Sequence, residues 1–409
     1  MTRSIWQPWT DAQLVCSPST EQLEAHSSAL FHADCAGELP DETEPVEGLQ
    51  MSCERYHRPV MVDEVVKIFS SVPPGLVVDA TVGSGGHSQA LLASLPYIRI
   101  LGLDLDEDAL GVASIRLYEA GFWGRVALRH IGFDRLVEIS SHLSPHGLSG
   151  VLFDLGVSSM QLDSPLRGFS YQRSGPIDMR MDRSRNSVTA ERIVNAADPA
   201  YLAKIFAESG ERRFAWRIAK AIERTRPLHT TKELADVVRS AIPAAARRTG
   251  GHPAKRVFQA LRIAVNNELE VLSVALPQAI ELLVPGGRCV VISYHSGEDR
   301  IVKHQFRLAA GGGCSCPPGL PCTCQSNVTA RLVFPKSLPP SPQEVADNPR
   351  AGSARLRALE KVAVSGGSPS THTLPSSLTP SPWGGKKVLG VGISSSGSYR
   401  SPTASRRYR

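Results

Sequence analysis

Between Asp79 and Ser88 the chain reads DATVGSGGHS, three glycines held between an acid and a hydroxyl. Glycine takes positive φ at no steric cost and lets a ligand approach without meeting a Cβ. The apolar run Leu76 to Val78 precedes this cluster and QALLASL follows it, which predicts strand, tight turn and helix in that order. Such a turn presents Gly83, Gly85 and Gly86 beside a helix N-terminus, where unpaired N–H groups and the positive dipole end meet a ligand. Asp104 closes a second apolar run, IRILGLD, 18 residues after Gly86. A carboxylate at the tip of the second strand of a βαβ unit can accept from both hydroxyls of a ribose. Turn and acid together point to a nucleoside cofactor. The pattern Gly83-x-Gly85-Gly86-x-Ser88 lacks the third glycine of G-x-G-x-x-G, which disfavours NAD. Asp79 ahead of the glycines is the acid that S-adenosylmethionine enzymes of the doubly wound class carry.

Asp154 ends a further apolar run, GVLFDLGVSS, at the place where a strand-tip group meets a transferred methyl. If the acceptor is the exocyclic amine of a base, its lone pair is delocalised into the ring. A carboxylate accepting one amine hydrogen localises that pair and takes up the departing proton. The alternative role for Asp154 is to cap a turn or hold the cofactor. Phe133, at the tip of a third strand, is placed to edge against an adenine or to pack in the core. Gln161 follows Asp154 by seven residues, within reach of the cofactor. His295, Ser296 and Glu298 lie just past a fifth strand, where His295 either meets substrate or serves the structure.

These residues need a scaffold, and the hydrophobic periods supply one. A helix with Val62, Val65, Val66 and Phe69 on one face leads into strand and helix in alternation as far as Asp154, which implies a parallel sheet. From Ser164 the alternation stops for about 100 residues, first in a loop-like stretch and then in helices. One of these is a single long helical stretch from His252 to Leu283. Strand character returns at Gly286 to His295. The predicted fold is α/β, a doubly wound, mostly parallel sheet with an inserted all-helical domain at its carboxyl edge, where ligands of open α/β folds bind. The predicted boundaries are an acidic disordered extension over 1–50, the sheet domain over 51–163 and 263–360, the insert over 164–262, and a basic disordered tail over 361–409.

Charge is distributed unevenly. Residues 165–262 hold 20 basic and 9 acidic residues, a net of +11, against −8 for the first 50 residues and +7 for the last 49. A surplus that local points to a polyanion. The insert interleaves Arg180, Arg183, Arg185, Arg212, Arg213, Arg217, Lys220, Lys255 and Arg256 with Phe169, Tyr171, Phe214 and Trp216, the residue types that pair with phosphate and stack on unpaired bases. No run approaches the roughly 18 apolar residues of a membrane span, and the first residues lack the apolar core of a signal peptide. A cytoplasmic protein is expected. Cys314, Cys316, Cys322 and Cys324 form a C-x-C-x5-C-x-C array, either a zinc site or a reduced, metal-free loop; no metal is assigned.

The blocks HRPVMVDEVV, DATVGSGGHS, LDLDEDAL, FDLGVSSMQLDSPLRGFSYQRSGPIDMRMD, GERRFAWRIAKAI, TKELADVV, HPAKRVFQALRIAVNNELE, PGGRCVVISYHSGEDRIVK and NPRAGSARLRALEK resemble, in order, those of the RsmH (MraW) family. These are methyltransferases acting on N4 of a cytidine in the decoding region of small-subunit (16S) ribosomal RNA. The resemblance implies S-adenosyl-L-methionine as cofactor and the small ribosomal subunit or its RNA as partner; the sequence does not distinguish a monomer from a homodimer. It further implies that Gly85, Gly86, His87, Asp104, Phe133, Asp154 and Gln161 contact the cofactor. Gly297 departs from the family's usual Leu in HS-x-EDR, the cysteine array is absent from many members, and both tails lie outside the family core. Rival readings are a nicotinamide oxidoreductase and a non-catalytic RNA-binding assembly factor.

Overall fold

The structure, a computed structural model, describes residues 58–144, 146–247, 252–312 and 328–363. The acidic extension, nearly all of the basic tail and the four-cysteine array lie outside the described residues.

Helix α1 (Val62–Phe69) buries Val65, Ile68 and Phe69. It leads into β1 (Gly75–Asp79), α2 (Gly86–Ser94), β2 (Ile98–Asp104), α3 (Glu107–Glu119), β3 (Val126–His130), α4 (Leu136–Leu143) and β4 (Leu148–Asp154). After the insert described below come α12 (Glu268–Leu282), β5 (Leu283–Ser293), α13 (Ser296–Arg307), β6 (Ala330–Leu332), α14 (Pro342–Asp347) and β7 (Arg355–Lys361). The seven strands form one sheet of order β3-β2-β1-β4-β5-β7-β6. Strands β1 to β5 run parallel, so Asp79, Asp104 and Asp154 all stand at its carboxyl edge. Strand β7 pairs antiparallel with β5, and β6 with β7.

Both faces of the sheet are covered, and for that reason β1 is buried throughout its length. Alternate residues serve alternate faces. Val77 and Leu152 pack with Phe69, Leu91 and Leu117 on one side. Val78, Val151 and Phe153 pack with Leu272, Leu276 and Phe306 on the other.

Between β4 and α12 lie α5 (Ser159–Asp163), α6 (Ala190–Ala196), α7 (Pro199–Glu208), α8 (Ala215–Thr225), α9 (Thr231–Ala241), α10 (Ala244–Arg247) and α11 (Ala254–Asn266). A separate hydrophobic core from Phe169 to Val265, including Phe206, Ile218, Leu234 and Leu261, holds the longer of these together. The long helical stretch expected from His252 onward is two helices. Asn267 takes φ 50°, ψ 32° and ends α11 where α12 begins; asparagine tolerates this left-handed conformation better than most residues. The break lets α11 face the insert's core while α12 lies against the sheet. Two strand limits also differ from expectation: β3 stops at His130, three residues before Phe133, and β5 spans Leu283–Ser293.

Candidate active site

The glycine turn joins β1 to α2 as its composition requires. Gly83 and Gly85 have φ of 50° and 79°. A Cβ on Gly83 would meet only the Thr81 carbonyl, at 3.9 Å, whereas one on Gly85 would press on Ala113 Cβ at 3.2 Å. On Gly86 it would strike Pro59 at 2.6 Å. Gly85 and Gly86 therefore let α3 and the Pro59 segment close on the turn; Gly85 donates its backbone N–H to the Val82 carbonyl at 2.8 Å, so the N–H turned to a ligand is that of Gly86. Asp104 is tied into the same unit: Oδ2 accepts from Gly83 N at 2.8 Å and Oδ1 from Asp106 N at 2.9 Å. Burial pushes its carboxyl up to about 6, against the lowering effect of those two N–H groups.

Asp79 lies beneath the turn. Its Oδ2 accepts from Ser88 Oγ at 2.6 Å, while Oδ1 is buried with no hydrogen-bond partner. Burial raises this carboxyl to about 6 as well. An orphaned buried carboxylate oxygen is costly and matches the ammonium group of an amino-acid-bearing cofactor. The residues present thus fit the implied donor at both of its ends, the ribose and the ammonium.

Asp154, at the tip of β4, donates its backbone N–H to Thr81 Oγ1 at 2.7 Å. Its Oδ1 accepts from the Tyr294 hydroxyl at 2.8 Å, and Oδ2 lies 3.6 Å from His87 Nδ1. Burial pushes Asp154 up to about 7, the Tyr294 bond opposing it and the Glu298 charge adding to it. His87 is buried, which lowers its pKa, and its Nε2 faces the Val60 carbonyl at 2.9 Å. A carbonyl only accepts, so Nε2 carries a proton and the neutral ring turns the Nδ1 lone pair toward Asp154. A single proton held by either group makes that contact attractive.

Tyr294 is held from behind. Glu298 Oε2 accepts from the backbone N–H of Tyr294 at 2.8 Å and of His295 at 3.2 Å. His295 Nδ1 caps α13, accepting from Gly297 N at 3.1 Å, so His295 has a defined structural task. Glu268, His295 and Glu298 bring ligand atoms within 4.8 Å of one another. Arg262, however, pairs with both oxygens of Glu268 at 2.8 Å, which makes the group an ion-pair network.

Gln161 is buried and heavily engaged. Its Oε1 accepts from Ser158 N at 3.1 Å in a capping box that starts α5, and its Nε2 donates to Asp106 Oδ2 at 2.7 Å. Arg167 reaches the same oxygen at 2.7 Å and donates from its other nitrogen to the carbonyls of Arg180 and Met181. Phe133 opens a short turn after β3 and sets its ring edge-on to Phe153 at 5.4 Å, half-buried. Gly83, Asp79, Asp104, His87 and Asp154 are linked by direct contacts or adjacent strand tips, whereas Gln161 joins them through Asp106. Thr81, Tyr294 and Arg167 were not predicted as site residues. All three stand within the blocks that carry the family resemblance, Thr81 in DATVGSGGHS, Arg167 in the block that begins at Phe153 and Tyr294 in PGGRCVVISYHSGEDRIVK, but nothing in their type or spacing singles them out.

The charged and aromatic residues of the insert separate into two groups. Phe169 is buried, Phe214 is half-buried, and Tyr171 stacks on His252 at 4.6 Å. Arg180 is bound to Asp178 at 2.6 Å and serves its own loop. Trp216 remains exposed.

A doubly wound sheet of this order, with a glycine turn after β1 and acids at the tips of β1, β2 and β4, defines a class I S-adenosylmethionine-dependent methyltransferase fold. Residues 54–362 match the MraW methylase family, and the chain belongs to it. It is 50% identical over 313 residues to a protein of Acidothermus cellulolyticus named ribosomal RNA small subunit methyltransferase H, covering 75% of this chain and 94% of that one. Proteins of the same name from Heliobacterium modesticaldum and Mycobacterium sp. (strain KMS) are each 47% identical, over 99% and 84% of their own lengths and 75% of this chain.

Proposed function

We propose that this protein transfers a methyl group from S-adenosylmethionine to N4 of a cytidine in the decoding region of small-subunit ribosomal RNA. The observation that carries this reading is the pairing of Asp104 with the Gly83 turn on one side of the carboxyl edge and of Asp154 with Tyr294 on the other. When bound, the donor supplies a methyl group on a sulfonium, which leaves as a neutral thioether. Asp104 holds the ribose hydroxyls, the Asp79 Oδ1 atom takes the ammonium group, and the backbone of Gly85, Gly86 and His87 lines the turn. Phe133 presents its ring to the adenine side, and Gln161 offers the amide hydrogen not given to Asp106.

Asp154 accepts a hydrogen from the target amine, which localises the nitrogen lone pair, and takes up the proton released. The target base has to leave its stack to arrive there, because N4 of a paired cytidine is engaged within the duplex. The insert, taken as residues 164–262, supplies the surface that receives the RNA. No helix among the described residues is long and apolar enough to cross a membrane, and the working compartment is the cytoplasm, where its substrate is assembled.

The test is methyl incorporation into small-subunit particles that lack the modification, followed by nucleoside mass spectrometry. Wild-type protein should yield N4-methylated cytidine and Asp154→Ala almost none. Absence of methylcytidine with wild-type protein defeats the reading.

A further inference from the structure

Helix α8 has two unlike faces. Ala215, Ile218, Ala219 and Ile222 are buried in the insert's core. Trp216, Arg217, Lys220 and Arg224, with Arg213 just ahead of the helix, recur at the three- and four-residue spacing that stacks side chains along one side. Trp216 keeps 55% of its surface exposed. Lys220 Nζ lies 5.5 Å from the centre of the indole, and the Arg213 guanidinium lies 5.0 Å from the centre of the Phe214 ring. Arg212, Arg213, Arg217 and Arg224 are all exposed. Glu223, the sole acid between Glu211 and Glu233, is already paired with Lys220 at 2.8 Å.

A large exposed indole set among unneutralised cations selects its partner by chemistry. The cations call for a polyanion, and the indole calls for a flat ring with a free face. A duplex keeps the faces of its bases inside the stack, and a single strand does not.

We infer that the Trp216 face of α8 holds a single-stranded stretch of the RNA substrate, with the indole against one unpaired base and Arg213, Arg217 and Arg224 on neighbouring phosphates. This rests on the reading of the chain as an RNA methyltransferase and adds where, and in what form, the RNA is gripped. All four side chains point away from the core, so their replacement leaves the fold intact.

The probes are a fluorescein-labelled 12-nucleotide RNA of mixed sequence, the same RNA annealed to its complement, and small-subunit particles lacking the methyl mark. Trp216→Ala should weaken single-strand binding about tenfold, and Trp216→Phe should recover most of it. Arg217→Ala and Arg224→Ala should each lower the slope of log affinity against log salt by about 0.7. Binding of S-adenosylhomocysteine should not change in any variant. If Trp216→Ala binds the single strand as wild type does while wild type still methylates particles, this inference falls and the enzymatic reading survives. Preference for the annealed RNA overturns it as well, as does a defect seen on particles but not on naked RNA, which assigns the face to a ribosomal protein. Wild-type protein that neither binds nor methylates RNA removes both.

Discussion

Gly83 donates its backbone N–H to Oδ2 of Asp104 at 2.8 Å, so the glycine turn after β1 and the acid closing β2 are one rigid unit before any ligand arrives. The carboxylate is prepositioned, and its second oxygen is fixed by Asp106 N. Asp104→Asn keeps the shape but sets an amide N–H against one of two backbone donors and removes the charge. Hydrogen bonds to charged groups contribute about 1.5–3 kcal/mol, so affinity for S-adenosylhomocysteine should fall roughly 10- to 150-fold by calorimetry. A dissociation constant within twofold of wild type would refute the role given to Asp104.

The pH dependence of catalysis should belong to Asp154. Its carboxyl titrates at about 7, and only the charged form accepts both the amine hydrogen and the proton released. The kcat/KM should therefore fall tenfold for each pH unit below about 7 and level off above it. The Tyr294 hydroxyl stabilises that charge, so Tyr294→Phe should move the acid limb upward by about one pH unit while preserving the rate at pH 9. An unmoved limb with a uniformly lower rate would make Tyr294 a packing residue only.

The same desolvated acids set a conflict between stability and activity. The pKa values of Asp79, Asp104 and Asp154 are raised to about 6, 6 and 7 from an ordinary 3.8. An acid raised by folding contributes stability that is fully present below about pH 4 and is lost as pH rises through its folded-state value. For Asp154 the ceiling is roughly 4 kcal/mol. Asp154→Asn should therefore be more resistant to urea than wild type at pH 8, with the difference vanishing near pH 4, even as methyl transfer is lost. Equal stability at pH 8 would mean that the carboxylate is better solvated than its burial indicates.

How much of this was legible beforehand follows from how local each signal is. The turn, Asp79 and Asp104 could be read because strand, glycines and helix follow one another within 26 residues, and each residue type answers to its own backbone. Tyr294 could not, since its hydroxyl acquires meaning only from Asp154, 140 positions earlier. Strand β7, RLRALEK, is composed largely of good helix formers. It is a strand because Leu356, Ala358 and Leu359 meet the buried edge of β5, a tertiary cause that outweighs propensity. Asn267 breaks a continuous apolar period with a single backbone angle. Arg167 reads as one more basic residue of the insert; only its fold neighbours reveal that it is nearly buried and spoken for.

That arginine carries the last prediction. Arg167 Nη1 lies 2.7 Å from Asp106 Oδ2, both side chains almost wholly buried, and its other nitrogen holds the carbonyls of Arg180 and Met181. The pair thus joins the loop after Asp104 to the loop that enters the insert. Arg167→Ala leaves the Asp106 carboxylate buried with Gln161 as its remaining side-chain donor, and breaking a buried pair from one side costs about 3–5 kcal/mol. Removing both charges, as Asp106→Ala with Arg167→Ala, should cost less than the sum of the two single changes, because no orphaned charge remains. Arg167→Lys should not rescue, since one ammonium cannot serve the carboxylate and two carbonyls in the geometry of a planar guanidinium. Urea unfolding of wild type and the four variants checks this: additive losses would mean that the two residues stabilise their loops independently, and the mechanical link between cofactor turn and insert would have to lie elsewhere.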